Sequence, residues 1–275
     1  MSDSTPSEIR LPRDPYVDTN LFCGPYPFRR LPDTDGDGLL RLLDETHAWG
    51  ALVTPFRSVF YADALSGLEE TLERAPRHPW LRFAAVVNPA FPGWREDLEI
   101  ALRYPRVSAV RVFPRRHHYG AADECLAELA EVMAGRPEPL VISARLSDDR
   151  LNPEMLNVDP PLDLAEVAML LKERPDTRFI LTQFYINELP ALRSAVIAHG
   201  ETYVDIGCCK PREFWWEEAV REWPVDRLLF GTGAPLYYHG GSRLSFSRAE
   251  LEPEVREAIL LGNAGRLLGL PWGEE

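Results

Sequence analysis

The sequence predicts a single-domain (β/α)8 barrel, and three observations carry that expectation. Eight short runs rich in β-branched and aromatic residues alternate with eight amphipathic stretches. The turns from each amphipathic stretch to the next apolar run are short, whereas several of the opposite connections are long. The chain has 275 residues, which suits a fold that takes about 250. Strands that alternate with single helices must pair in parallel, because each return to the same sheet edge needs a crossover. A doubly wound open sheet is the competing architecture. It ranks lower because the first turn is not Gly-rich and no midway pause marks a reversal of strand order.

The elements follow in order. Strand YVDTNLF (16–22) leads to helix GLLRLLDETHAW, and GALVTPF (50–56) to ALSGLEETLERA. RFAAVVN (82–88) leads to GWREDLEIALRY, and SAVRVF (108–113) to AADECLAELAEVMA. PLVISARL (139–146) leads to DLAEVAMLLKER, and RFILTQF (178–184) to LPALRSAVIA. TYVDIG (202–207) leads to EFWWEEAVREW, and RLLFGTG (227–233) to PEVREAILLGNAGRLL. Each helix candidate carries one apolar stripe, which needs a sheet to cover, and Gly or Pro punctuates the ends. Residues 1–14 read as a flexible N-terminal segment and 15–275 as the barrel, with no internal linker.

Composition excludes some classes of function. The net charge is −13, which argues against nucleic acid or an anionic membrane as partner, since both need a basic face. Lysine occurs only at Lys172 and Lys210, leaving few candidates for a Schiff base or a carbamylated lysine. The N-terminus lacks a hydrophobic signal-peptide core, and no apolar run is long enough to span a bilayer. A cytoplasmic protein with four free thiols is expected, Cys208 and Cys209 among them. No Gly-rich phosphate loop is present.

The long loops, 23–36, 147–161 and 234–251, all follow strands. In a barrel these ring the C-terminal mouth, where active sites form. This sorts the histidines. His47, His78 and His199 fall on the opposite side, as helix-end or surface residues. His117 and His118 in FPRRHHYG and His239 in PLYYHGG fall at the mouth. Asp18 and Asn20 on strand 1, Arg111 on strand 4, Ser143 and Arg145 on strand 5, Gln183 on strand 6 and Asp205 on strand 7 are polar positions within strands. Buried charges need partners, so Asp18 and Asp205 are expected to pair with Arg111. Arg111 is then either half of a structural ion pair or a binder of substrate carboxylate.

The segments VDTNLFCG, AVVNPAFPGWREDLEIAL, SAVRVFPRRHHYG, RLLFGTGAP and EVREAILLGNAGRLLGL are similar to those of the amidohydrolase-related branch of the amidohydrolase superfamily. These are metal-dependent hydrolases and decarboxylases built on the TIM barrel, and the resemblance covers about residues 15–270. It implies His-x-His on strand 1, one histidine on each of strands 5 and 6, and an aspartate ending strand 8. Two imidazoles two residues apart on a strand can share one ion. The ion lowers the pKa of a bound water, and the aspartate takes its proton. Here those positions read Asn20-Leu21-Phe22, Ser143 or Arg145, Gln183 or Thr182, and Gly233. The strand-4 lysine of some relatives is replaced by Arg111, with Arg115 nearby.

The expected function is therefore a hydrolase or decarboxylase-like lyase acting on a small anionic or carbonyl-bearing molecule without the usual metal centre. His117, His118, Arg111 and His239 are the catalytic candidates. Asn20, Phe22, Arg145, Gln183, Tyr119 and Tyr237 are the candidates for substrate binding. The alternative is a catalytically inactive barrel that binds a small ligand or a protein partner. No cofactor is expected; a replacement zinc site through Cys23, Cys208, Cys209 and His239 is a low-weight option. Trp215 and Trp216 either cap the sheet or offer a subunit contact in a homo-oligomer. The tract YYHGGSRLSFSR (237–248) is either a mobile lid or a fixed surface loop.

Overall fold

The computed structural model describes residues 14–32, 34–148, 150, 160–208 and 214–270. Eight parallel strands lie in sequential order: β1 (Tyr16–Cys23), β2 (Ala48–Pro55), β3 (Leu81–Val86), β4 (Val107–Val112), β5 (Leu140–Ser143), β6 (Phe179–Thr182), β7 (Thr202–Asp205) and β8 (Leu228–Leu229). The first and last strands meet. Thr19 N–H donates to the Phe230 carbonyl at 3.1 Å, Gly233 N–H to that of Asn20 at 2.9 Å, and Phe22 N–H to that of Ala234 at 2.8 Å. Eight parallel strands with helices between them form the (β/α)8 TIM barrel that the alternation predicts.

The α-helices are α1 (Asp37–Thr46), α2 (Phe56–Phe60), α3 (Ala64–Arg74), α4 (Trp94–Ala101), α5 (Glu124–Met133), α6 (Leu164–Glu173), α7 (Leu189–His199), α8 (Trp215–Glu222), α9 (His239–Ser247), α10 (Pro253–Glu257) and α11 (Asn263–Leu268). Side-chain caps fix two of the starts. Asp63 accepts from Ser66 N–H at 3.0 Å before α3, and Asp163 from Ala165 N–H at 2.8 Å before α6. None of the described helices is long and apolar enough to cross a membrane.

Strand alternation separates two environments. Outward residues such as Leu21, Cys23, Val53 and Phe83 pack with Leu39, Leu42, Leu43 and Leu68 from α1 and α3. Inward residues include Asp18, Asn20, Thr54, Arg111, Ser143, Thr182 and Asp205, all buried. The apolar core is thus the layer between sheet and helices, and the barrel axis is polar. At the C-terminal end a separate cluster of Phe22, Phe56, Val59, Val86, Phe113 and Leu236 closes over that axis.

Some expectations change. Strands β5 to β8 are shorter than the sequence runs suggest; β6 stops at Thr182 because Gln183 turns left-handed at φ +60°. The short helix α2 was not foreseen. The 237–248 tract is neither lid nor loop, since most of it is α9. Its Phe246 packs edge-on against Trp216 with centroids 4.8 Å apart, and Trp216 Nε1–H donates to Ser245 at 2.9 Å. Trp215 and Trp216 are both buried against the sheet, which removes them as a surface contact. Residues 1–13, most of the 147–161 loop, Cys209 and Lys210 lie outside the described residues.

Candidate functional site

The centre of the mouth is organised by Arg111, which is wholly buried on β4. Its Nε–H donates to Ser143 Oγ on β5 at 2.8 Å, and Nη1 to Thr54 Oγ1 on β2 at 2.8 Å. Nη2 donates to Asn20 Oδ1 on β1 at 2.8 Å and to Gln183 Oε1 beyond β6 at 3.3 Å. All four acceptors are neutral oxygens. The guanidinium carbon lies over the Phe22 ring at 4.7 Å and over the Phe113 ring at 4.9 Å, and since those rings are 6.4 Å apart they wall adjoining sides of it. Burial pushes Arg111 down to about 9, against the pull of Cys208 and Asp205, so it stays charged at neutral pH.

The expected ion pairs of Arg111 with Asp18 and Asp205 do not form. Asp18 accepts from Thr232 Oγ1 at 2.5 Å, Thr232 N–H at 3.0 Å and Asn20 N–H at 3.0 Å. Burial raises it to about 6 even so. Asp205 accepts from Thr182 Oγ1 at 2.8 Å, Gly207 N–H at 3.0 Å and Gly231 N–H at 2.9 Å, and burial raises it too. The turn after β8 takes both carboxylates first. Gly231 makes that approach feasible, since a Cβ there would come within 2.6 Å of both Asn20 Cβ and Asp205 Oδ2. Asn20 Nδ2–H reaches Cys208 Sγ at 3.2 Å, which links the Arg111 and Asp205 groups.

Above Arg111 the mouth is aromatic. Phe22 stacks on Phe56 with centroids 5.1 Å apart and planes 8° apart. Gly233, at φ +68°, leaves room for the Tyr237 ring; a Cβ there would meet that ring at 2.6 Å. Tyr237 is half-buried and has its hydroxyl pKa raised, chiefly by burial.

Arg145 is committed to its own surroundings. It donates to Glu188 at 3.0 and 2.6 Å, to the Gln183 carbonyl, and stacks on Tyr185 at 3.7 Å. It thereby supports Gln183, whose backbone is left-handed at φ +60° and whose Nε2–H donates to the Leu146 carbonyl at 2.6 Å.

His117 and His118 lie to one side of this centre, after a 3-10 turn at Arg115–His117. His117 is separated from Arg111 by Phe113, whose ring centroid is 6.3 Å from the imidazole. Its Nε2 meets the Val59 carbonyl at 3.4 Å, and Nδ1 is buried without a partner. Burial pushes it down to about 4, so it is neutral at pH 7. Both histidines line a cavity of about 370 Å³ with Asn88, Phe60, Phe91 and Arg116. Arg116 lies over Phe60 at 5.2 Å and makes no hydrogen bond or ion pair with any described residue. Acidic residues are absent from the described lining of this cavity. Tyr119 is buried behind His117 and lines the neighbouring cavity instead.

The structure thus gathers Asn20, Phe22, Arg111 and Gln183 at the centre, and His117 and His118 at the side. His239 joins neither group: its ring lies tilted against Tyr238 with centroids 5.4 Å apart, and the charges of Glu45 and Arg243 act on it. Of the four proposed zinc ligands, Cys209 lies outside the described residues, and the other three are not gathered. Cys23 points outward toward α1, Cys208 points inward, and no three described His, Cys, Asp or Glu residues converge as a metal-binding group. Sequence reasoning missed Thr54, Asn88 and Arg116. Thr54 was legible as an inward position near the end of β2. Arg116 stood inside the quoted RRHH but gave no sign of facing a cavity.

A family model for amidohydrolases matches residues 61–270. Solved structures share the fold. A dihydroxybenzoic acid decarboxylase from Polaromonas sp. JS666, with bound manganese and the inhibitor 2-nitroresorcinol, superposes with TM-score 0.68 at 16% identity over 95% of this chain and 98% of that one. A 2,6-dihydroxybenzoate decarboxylase from Rhizobium gives TM-score 0.63 at 14% identity, covering 93% of this chain and 98% of the other. An uncharacterised TIM-barrel protein from Bordetella bronchiseptica gives 0.67 at 13%, covering 93% and 99%. No curated protein matches.

Proposed function

The chain belongs to the amidohydrolase family, and we propose that within it this protein binds a small organic anion at the side of the barrel mouth and does not hydrolyse it. The carrying observation is the Arg116 guanidinium, which lines a cavity of about 370 Å³ and has no hydrogen-bonding or ionic partner among the described residues. That volume is in the range of small-molecule sites. An unpaired guanidinium in a chain of net charge −13 favours a carboxylate or similar anion. Val59, Phe60 and Phe91 add apolar walls, so the favoured ligand is a carboxylate on a flat apolar body. The inhibitor-bound relative lends weight to a small-molecule ligand.

The same geometry disfavours acid–base chemistry by His117 or His239. His117 has one ring nitrogen against the Val59 carbonyl and the other buried. His239 is not among the residues that line the cavity. A general base needs a free nitrogen within reach of the reacting proton.

Calorimetric titration with benzoate and its neutral isostere benzamide tests the reading. Benzoate should bind and benzamide should not, and Arg116→Gln should weaken benzoate at least about tenfold. Equal binding of both ligands, or an unaffected variant, defeats it. Turnover of an ester, lactone, amide or β-keto acid that Arg116→Gln slows would replace binding with catalysis at the same cavity.

A further inference from the structure

The donor set at the barrel centre does not fit a metal ion, and this disagreement with the manganese-bound relative is informative. The four oxygens around Arg111 are two hydroxyls and two amide carbonyls, all neutral and each within 3.3 Å of a guanidinium N–H. They come from β1, β2, β5 and the residue after β6. Three of them, Asn20, Ser143 and Gln183, stand on the strands from which the resemblance would draw histidine ligands. They are turned toward an N–H, whereas a transition metal needs imidazole, thiolate or carboxylate donors at about 2.0–2.3 Å. The two nearby carboxylates are held by Thr232, Thr182 and backbone N–H groups. The aromatic faces of Phe22 and Phe113 wall two adjoining sides.

A cation is nevertheless present at this point. Its charge is delocalised over a plane, its N–H groups meet oxygens and two aromatic rings lie against it, so a single side chain fills both the position and the sign that an ion would have. We propose that the Arg111 guanidinium is a tethered resident cation that stands in place of the metal, so that the centre takes up no divalent ion and is assembled without one. This is independent of the anion cavity, which lies beyond Phe113 and uses Arg116.

Two measurements on the whole chain test it. The wild-type protein is incubated with Mn(II) or Zn(II), dialysed, and analysed for metal. It should retain well under about 0.1 equivalents, and its melting temperature should not respond to either ion or to EDTA. Retention of about one equivalent, or a clear rise in melting temperature with Mn(II), overturns the proposal. The second measurement uses Arg111→Ala with about 10 mM guanidinium chloride, far below denaturing levels. Guanidinium should enter the vacated space and raise the variant's melting temperature by about 3–5 °C, while urea, its neutral analogue, should not. An equal response to urea, or none to guanidinium by a folded variant, shows that the position does not require a cation. Should Arg111→Ala not fold, the metal measurement on the wild type decides alone.

Discussion

The mouth of this barrel contains two arginines five residues apart, and they live in opposite circumstances. Arg111 is enclosed: it is wholly buried, four oxygens take its hydrogen bonds and two aromatic rings lie against it. Arg116 has one ring beneath it and a cavity beside it. The first is a structural centre and the second is available to a ligand. The difference lies in where each stands on the chain. A strand residue near its C-terminal end points along an axis shared with seven other strands. A residue in the turn that follows points between loops.

The sharpest way to break this contrast is to remove each charge. Arg111→Ala should cost roughly 3–5 kcal/mol in urea unfolding, because it strands four buried acceptors around a void. A loss under about 1 kcal/mol would mean the network is incidental.

The next test uses pH, where the two regions should respond with opposite sign. Asp18 at the centre is raised by burial from an ordinary 3.8 to about 6. Its contribution to stability is full below about pH 4 and is lost as pH rises toward 6, by roughly 2–3 kcal/mol. Asp18→Asn should abolish that part of the slope. His117 at the side is lowered by burial from 6.5 to about 4. Its contribution is full above about pH 6.5 and is lost as pH falls toward 4. His117→Gln should flatten the acid limb, and slopes of the same sign at both sites would refute the contrast.

Phe22→Leu is a smaller perturbation. It removes the stack on Phe56 and one of the two rings against Arg111, for about 1–2 kcal/mol, seen as a lower urea midpoint at constant m-value. A change in m instead would point to a loosened mouth. The smallest effect on stability belongs to Arg116→Gln, within about 0.5 kcal/mol, although anion binding should be lost. A large destabilisation there would make Arg116 a second structural arginine.

The fold was legible because periodicity and loop length are local signals that the barrel obeys. The strand ends were less so. Gln183 leaves β6 in a left-handed conformation held by Arg145 and its Glu188 bonds, an arrangement made by residues far apart in sequence. The inward polar residues were legible as a set, but their pairing was not. Asp18 and Asp205 were expected on Arg111, yet Thr232 and Gly231 reach them first because β8 ends early and its turn folds back over the axis. His239 was placed at the mouth by its loop, but the loop becomes α9, which carries the side chain toward Glu45.

The Tyr237 ring against Gly233 makes the mouth a set of mutually dependent positions. A side chain at position 233 would need a left-handed backbone and would collide with that ring at its Cβ. A histidine at position 22 would break the stack on Phe56 and still meet a guanidinium. Removing Arg111 strands its four acceptors. Each single change is therefore unfavourable alone, and these residues tolerate replacement as a group rather than one at a time.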